Sequence, residues 1–176
     1  IGKGGIGREV AGYARAMDIE PIMFEHECEG IRNDRPTVIA IGDTDARKRM
    51  FAKFVHLDFC LFDAGKTYGH VRAGSGSIFC PGTILTTNIT IGRHVIINLN
   101  CTVGHDCKIG DFVTISPGAN ISGNVTIGDL CYIGTNAVIR DKINICAGVT
   151  IGAGGVVVKD ISEPGVYVGN PVKKIG

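Results

Sequence analysis

A period of six residues governs the second half of the chain. Ile or Val stands at every sixth position from Ile91 to Val157, twelve times in succession, and Gly follows this aliphatic residue six times. The frame extends less regularly back to Leu85, Phe79 and Ala73. An α-helix repeats every 3.6 residues and a strand every two, so neither explains the pattern. Six residues are the length of one short strand plus one tight turn.

Three such units make a coil of 18 residues. Stacked coils pair through backbone hydrogen bonds at a spacing of ~4.8 Å, and no coil can bury its aliphatic face alone. We expect the glycines to occupy turns with left-handed backbone angles. The predicted aliphatic columns are Ile91, Ile109, Ile127 and Ile145; Ile97, Ile115, Ile133 and Ile151; and Val103, Ile121, Ile139 and Val157. The repeat therefore predicts a parallel β-helix.

The residues before the repeat follow a different pattern. An amphipathic helix after Gly7 is followed by the strands PIMFEH and TVIAIGD, a helix in DTDARKRMFAKF capped by Asp43 or Thr44, and the strand VHLDFCLF. Alternating strands and helices indicate a small parallel sheet. We expect an α/β, Rossmann-like half-domain over residues 1–66 and the β-helix with a C-terminal tail over residues 67–176.

A glycine-rich turn opens the chain. Residues 2–7, GKGGIG, fit the pattern GxGxxG, which alone is weak evidence for a dinucleotide site. About 70 residues hold only half of a full Rossmann fold. A glycine turn at a helix N-terminus still suits a diphosphate, so a nucleotide-linked substrate fits better than a redox cofactor. A turn needed only for packing is the other interpretation.

Charge and cysteine content exclude several classes of protein. The formal net charge of +1 gives no basis for a nucleic-acid or membrane surface. No apolar run approaches the roughly 20 residues of a membrane span, and we expect no signal peptide. Seven cysteines in no metal or disulfide spacing indicate small buried residues in a reducing cytoplasm.

Four segments together resemble a known family. GKGGIGREVA, VIAIGDTDARK, VGHDCKIGDFVTISPGANISGNVTIG and VGNPVKKIG are similar to the sialic-acid O-acetyltransferases and bacillosamine-pathway N-acetyltransferases, within the hexapeptide-repeat, left-handed β-helix proteins. The resemblance supplies the left-handed sense, since the usual crossover rule favours the right-handed one. It implies a homotrimer, acetyl-CoA between neighbouring β-helices, and a sugar or nucleotide-sugar site in the N-terminal domain.

His105 is the strongest catalytic candidate. It is third in its hexad and faces outward, between Thr87 one coil earlier and Gly123 one coil later, which leave a groove beside the ring. Imidazole is suited to removing a proton near neutral pH. By resemblance His105 is the general base and Asp106 its carboxylate partner, where the family has Glu; Asp111 is a second candidate for that partner.

The resemblance also assigns binding residues. The residues it implies for acetyl-CoA are Thr114, Gly123, Thr135 and Ala153, and those for the substrate are Gly4, Gly5, Ile6, Glu25, Gly42 and Asn98. Thr114 stands where the family often has a second His, so oxyanion stabilisation would fall more on backbone N–H groups, Gly123 foremost. Ile6 stands where His or Phe is frequent.

The predicted activity is acetyl transfer from acetyl-CoA to a sugar, with the amino group of a nucleotide-linked amino sugar preferred. O-acetylation of sialic acid or another surface-polysaccharide sugar is the alternative, and a non-catalytic trimeric scaffold is the second. A nicotinamide-dependent enzyme would need the glycine turn to bind a dinucleotide. A metal enzyme is not expected, because His94, expected at the surface or a trimer interface, and His105 are the only histidines of the repeat.

Overall fold

The computed structural model describes residues 4–18 and 37–175. Most of the chain winds into a left-handed parallel β-helix of about six turns. Its short strands form three flat faces, and tight turns form the three corners between them. We number faces in chain order and name each corner by the faces it joins: residues 98–101 lie at corner 1–2, residues 104–107 at corner 2–3 and residues 110–113 at corner 3–1.

Face 1 contains the strands β1 (Phe62–Asp63), β4 (Ile78–Phe79), β7 (Ile96–Ile97), β10 (Thr114–Ile115), β13 (Tyr132–Ile133) and β16 (Val149–Ile151). A terminal hairpin of β18 (Gly165–Gly169) and β19 (Val172–Ile175) extends this face. Face 2 contains β2 (Lys66–Thr67), β5 (Ile84–Leu85), β8 (Thr102–Val103), β11 (Asn120–Ile121), β14 (Val138–Ile139) and β17 (Val156–Val157). Face 3 contains β3 (Val71–Ala73), β6 (Ile89–Ile91), β9 (Lys108–Ile109), β12 (Thr126–Ile127) and β15 (Asn144–Ile145).

The three predicted aliphatic columns are confirmed. Every sixth residue from Ile91 to Val157 is at most 3% exposed. Each pairs in parallel register with its counterpart 18 residues away, so that Ile97, Ile115 and Ile133 lie one above another. The extension to Leu85, Phe79 and Ala73 holds as well, since these residues pair with the next coil of the same columns. One continuous apolar core therefore fills the β-helix.

The expectation for the repeat glycines is wrong. Left-handed angles occur two residues after those glycines, for example at Asp106 (φ 61°) and Phe112 (φ 59°). Gly104 and Gly110 are required for a different reason: a Cβ there would lie 2.7 Å from a backbone nitrogen of the next coil. Glycine allows the coils to stack at corners where no side chain fits.

Two helices precede the β-helix in the described residues. Helix α1 spans Gly5–Ala16 and helix α2 spans Thr44–Lys53, with Asp43 as its N-cap. A parallel bridge between Thr37 and Phe59 is the only strand pairing of the described residues before β1. The predicted strand PIMFEH lies outside the described residues, so a complete Rossmann-like half-domain is not confirmed. The first strands of the β-helix, β1 and β2, begin before residue 67.

The N-terminal part packs on the early coils of face 1. Val10 of α1 and Ala40 contact the outward side chains Ile78 and Ile96, which are fully buried. This contact covers the lower coils of face 1 and leaves the outward side chains of β13 and β16 accessible, with Tyr132 36% exposed.

The position of His94 differs from the expectation of a surface or trimer contact. The residue lies at corner 3–1, is 1% exposed, and stacks on Phe112 with 5.2 Å between ring centroids. Phe51 of α2 and Phe59 close the cluster, with centroids 4.5 and 4.7 Å from the His94 ring. Helix α2 covers a corner that the repeat alone would leave in solvent.

The cysteines of the repeat are free thiols in the core, as interpreted from the sequence. Burial raises the pKa of Cys80 to about 12 and those of Cys101 and Cys131 to about 11. Neither helix of the described residues is long and apolar enough to cross a membrane.

Candidate functional site

A cleft of about 540 Å³ lies where face 1 meets the N-terminal part of the chain. One wall is the loop before α2 with the start of that helix, and the other is the outer surface of β10, β13 and β16 with corner 1–2. Its lining residues are Ile6, Gly42, Asp43, Thr44, Asp45, Asn98, Thr114, Ser116, Pro117, Tyr132, Thr135 and Thr150. Five residues predicted from the sequence, Ile6, Gly42, Asn98, Thr114 and Thr135, thus meet in one cleft.

Arg47 joins the two walls of the cleft. The side chain is fully buried, and its nitrogens donate to six oxygen atoms, none of which belongs to a carboxylate. Two acceptors, the carbonyls of Ile41 and Gly42, belong to the loop before α2. The other four belong to the β-helix: the carbonyls of His94, Phe112 and Val113 and the hydroxyl of Thr114. Burial lowers the pKa of Arg47 to about 10, so the side chain stays charged at neutral pH.

Thr114 lies at the bottom of the cleft and is 2% exposed. Its hydroxyl donates to the carbonyl of Gly42 at 2.7 Å and accepts from Nη2 of Arg47 at 2.9 Å. The single hydroxyl proton is therefore already used within the chain. Asn98 is also buried, at 8% exposure, and its Oδ1 accepts the N–H of Leu99.

His105 and Asp106 lie at corner 2–3, outside the cleft. Nδ1 of His105 is 2.6 Å from Oδ2 of Asp106, and the other carboxylate oxygen accepts from the amide of Asn88 one coil earlier. Hydrogen bonds from His105 and Asn88 lower the pKa of Asp106. With Nδ1 donating to the carboxylate, Nε2 of the half-exposed imidazole is left as a proton acceptor.

The column above and below His105 matches the sequence prediction. The amide of Asp106 donates to the carbonyl of Thr87, and the amide of Asn124 donates to the carbonyl of His105. Gly123 lies directly beside the ring, because a Cβ at that position would be 2.6 Å from Nε2 of His105. Asp111, the second candidate for the carboxylate partner, forms an ion pair with Arg93 at 2.7 Å.

The remaining predicted residues lie at the edges of these two places. Gly4 and Gly5 are exposed at the N-terminus of α1, immediately before Ile6. Ala153 is exposed at corner 1–2, one coil beyond Thr135, whose carbonyl accepts the amide of Gly154. Glu25 lies outside the described residues. Within one chain, the His105 pair and the cleft belong to different corners of the β-helix.

Sequence reasoning missed Arg47 and Tyr132. Arg47 belongs to the charged run DARKR, which is typical of a solvated helix face, and its acceptors are almost all backbone carbonyls with no side-chain signature. Tyr132 had a usable signal: it is the residue before the aliphatic position of its hexad, which faces outward on the same face as Thr114.

Known proteins match part of the chain in sequence. The family described as Bacterial transferase hexapeptide (six repeats) matches residues 106–141. The GDP-perosamine N-acetyltransferase of Escherichia coli O157:H7 is 46% identical over 56 residues. This match spans 32% of the chain and a quarter (25%) of that relative's length.

Two solved structures match nearly the whole chain. The acetyltransferase domain of PglB from Neisseria gonorrhoeae FA1090, solved alone and with acetyl coenzyme A, is 29% identical with a TM-score of 0.86. The match covers 99% of this chain and 97% of that one, or 96% in the complex. PerB from Caulobacter crescentus, solved with CoA and GDP-perosamine, is 26% identical with a TM-score of 0.87, covering 100% of this chain and 95% of that one.

The fold and its repeat define a left-handed β-helix protein with an accessory N-terminal unit. Residues 106–141 match the hexapeptide-repeat transferase family, and the solved proteins that the chain resembles over nearly its whole length are the PglB acetyltransferase domain and PerB.

Proposed function

We propose that this protein transfers the acetyl group of acetyl-CoA to the amino group of a nucleotide-linked amino sugar. The observation that carries the proposal is the near-complete structural match to a PglB acetyltransferase domain that binds acetyl coenzyme A. The match to PerB with CoA and GDP-perosamine supports the same class of acceptor. The cleft adds geometric support, since it gathers residues that the resemblance assigns to both substrates.

The site is completed between copies of the chain, and we propose a homotrimer. The cleft opens at corner 1–2 and His105 lies at corner 2–3, so the two places flank face 2. Packing three copies through face 2 around one axis brings corner 2–3 of one copy beside corner 1–2 of the next. Outward apolar side chains on this face, Ile84 at 37% and Val138 at 38% exposure, support its role as the contact.

The chemistry requires one bond exchange and the passage of one proton from the amine to the sulfur. The sugar amine attacks the thioester carbonyl carbon, a C–N bond forms, the C–S bond breaks, and CoA leaves as a thiolate. His105 accepts the proton of the amine at Nε2 while Asp106 holds Nδ1 and stabilises the imidazolium, which then gives that proton to the thiolate. Gly123 allows the ring to stand in an open groove, and its backbone N–H is the candidate donor to the oxyanion.

The accessory unit is proposed to hold the nucleotide of the acceptor. Helix α1, the parallel bridge Thr37–Phe59 and helix α2 support a Rossmann-like half-domain. Gly4, Gly5 and Glu25 belong to its proposed substrate surface, while Ile6 and Gly42 line the cleft. Thr135 and Ala153 follow one another along corner 1–2, where a long pantetheine chain would run along successive coils.

Thiol release from acetyl-CoA measures this function directly. A panel of nucleotide-linked amino sugars that includes GDP-perosamine is compared with free sialic acid, which represents the O-acetylation alternative. Turnover on an amino sugar, with mass spectrometry locating the acetyl group on nitrogen, is the expected result. Turnover on sialic acid alone would favour the O-acetyltransferase alternative over N-acetylation. If acetyl-CoA does not bind, the non-catalytic trimeric scaffold is the remaining alternative.

A further inference from the structure

We propose that Arg47 is the positioning residue for the acceptor-binding wall of the cleft. This inference rests on the proposed function for the identity of the acceptor, but its structural part concerns the chain alone. The wall is defined as residues 41–46, the loop before α2 and the first residues of that helix, and the name "acceptor wall" is used for it below.

Hydrogen bonds from two side chains hold the carbonyls of the acceptor wall. The carbonyl of Gly42 accepts from Nη1 of Arg47 and from the hydroxyl of Thr114 in β10. The carbonyl of Ile41 also accepts from Nη1. All three contacts converge on one guanidinium and one hydroxyl.

The guanidinium is fixed on its opposite side by the β-helix. Nε donates to the carbonyl of His94 at 2.8 Å, and Nη2 donates to the carbonyl of Phe112 at 2.7 Å. A planar fork with five donors holds its acceptors at set distances and angles, which an ammonium on a flexible chain does not. Arg47 therefore sets how far the acceptor wall stands from the coils that form the other wall.

Charge does not explain this side chain, whereas positioning does. A salt bridge would place a carboxylate among the partners, but every acceptor is a carbonyl or a hydroxyl. A buried arginine that only filled space could be replaced by an apolar residue of similar volume. The arrangement instead uses all the donors to join two segments that are 47 to 67 residues apart in sequence.

Thr114 also holds the carbonyl of Gly42. Its hydroxyl lies between Nη2 of Arg47 and the carbonyl of Gly42, so it transmits the position of the guanidinium to the acceptor wall. A serine at this position keeps the hydroxyl, and a valine keeps the shape but loses it. This pair of variants separates the hydrogen bond from the packing of the side chain.

The first test measures, by mass spectrometry at single-residue resolution, amide hydrogen exchange of residues 46 and 47, whose N–H groups donate to Asp43 of the acceptor wall. Arg47→Lys and Thr114→Val are expected to raise exchange in this segment about tenfold or more, the size of effect expected for losing one hydrogen bond of a charged or buried group. Thr114→Ser is expected to match wild type. Val10→Ala is the control, because it removes methyl groups from the contact of α1 with face 1 without touching the acceptor wall.

The second test uses GDP-perosamine and acetyl-CoA as probes in steady-state kinetics. We expect Arg47→Lys to raise KM for the amino sugar about tenfold while KM for acetyl-CoA changes less than about threefold. Val10→Ala is expected to lower Tm and leave both KM values unchanged. The proposal fails if exchange of the acceptor wall is unchanged in both variants, or if Val10→Ala reproduces their effect. Wild type that lacks turnover would refute the proposed function, whereas the exchange experiment would still decide the role of Arg47.

Discussion

Nδ1 of His105 lies 2.6 Å from Oδ2 of Asp106, the next residue in the chain. Adjacent side chains seldom meet, and here they do so because Asp106 has a left-handed backbone (φ 61°) that turns its carboxylate back toward the ring. Asn88 of the preceding coil holds the other oxygen. A shorter Asp thus reaches the imidazole from the position where the resemblance led us to expect Glu.

Replacing the proposed base is expected to abolish most of the turnover. His105→Ala should lower kcat by at least ~100-fold, because general bases typically contribute that much, while acetyl-CoA binding is retained. Thiol release and calorimetric titration of acetyl-CoA measure the two quantities. A variant that keeps more than half of the wild-type kcat would remove His105 from the chemistry.

Asp106→Asn tests the orientation of the ring separately. Asn tolerates the left-handed angle, so the corner should keep its shape. The loss of the negative charge that stabilises the imidazolium should lower kcat about tenfold with little change in either KM. An unchanged kcat at unchanged Tm would show that the ion pair with His105 is dispensable.

Gly123→Ala should move the imidazole ring of His105 while the base itself remains a histidine. The added Cβ would lie 2.6 Å from Nε2 of His105, so the ring must rotate away from its present position. Gly123 does not have a positive φ, so the backbone accepts alanine and Tm should change little. We expect kcat to fall at least tenfold, since small misplacements of a reacting group are costly.

Gly12→Ala is the matched control for that variant. Gly12 is exposed in helix α1 and a Cβ there has no neighbour within 4 Å, so alanine should leave kcat unchanged and stabilise the helix slightly. If Gly123→Ala behaves like Gly12→Ala in activity, the space beside His105 has no catalytic role.

The aliphatic columns could be predicted because each coil repeats the packing of its neighbours, which requires an aliphatic residue at every sixth position of the sequence. Arg47 could not be predicted, since backbone carbonyls leave no trace in a sequence. His94 was expected outside because the period contains no sign that α2 covers corner 3–1. Residues on both sides of the proposed site, His105 and Gly42 among them, could be predicted from the sequence. That these residues lie at different corners within one chain could not be predicted.

Acid should destabilise the packing of α2 through His94. Burial, with the charges of Arg47 and Arg93, lowers the pKa of His94 to about 4, and neither ring nitrogen has a hydrogen-bond partner. The unfolded state, with a His pKa near 6.5, then binds more protons than the folded state, so stability is full above about pH 6.5 and falls as the pH drops toward 4. The loss is about 3 kcal/mol in total.

Urea unfolding between pH 4 and 7.5 measures this effect. His94→Phe removes the titrating group and keeps an aromatic ring, and Phe112 shows that this corner accepts Phe at a positive φ. The unfolding free energy of wild type relative to that of His94→Phe should increase as the pH rises from 4 to about 6.5. Above about pH 6.5 the difference between the two proteins should be constant. His56→Gln, at an exposed histidine, is the control and should follow wild type. Parallel curves for wild type and His94→Phe would contradict the assignment.

Complementation between two inactive variants should establish that the site is shared between copies. His105→Ala removes the base, and Gly42→Trp fills the cleft, where a Cβ has only Ile6 near it, at 4.0 Å. Each variant alone should be inactive. In every trimer that contains both variants, one of the three sites combines an intact base from one copy with an intact cleft from the next, so about a third of the wild-type kcat per site should return. Co-purified mixed trimers, identified by two different affinity tags, provide the sample.

Ile84→Glu is the control for assembly, because it places a charge on face 2 and should give monomers by ultracentrifugation. A chain with this substitution should be inactive, whether it is otherwise wild type or mixed with either variant. Mixed trimers without recovered activity would place base and cleft of one site in the same copy.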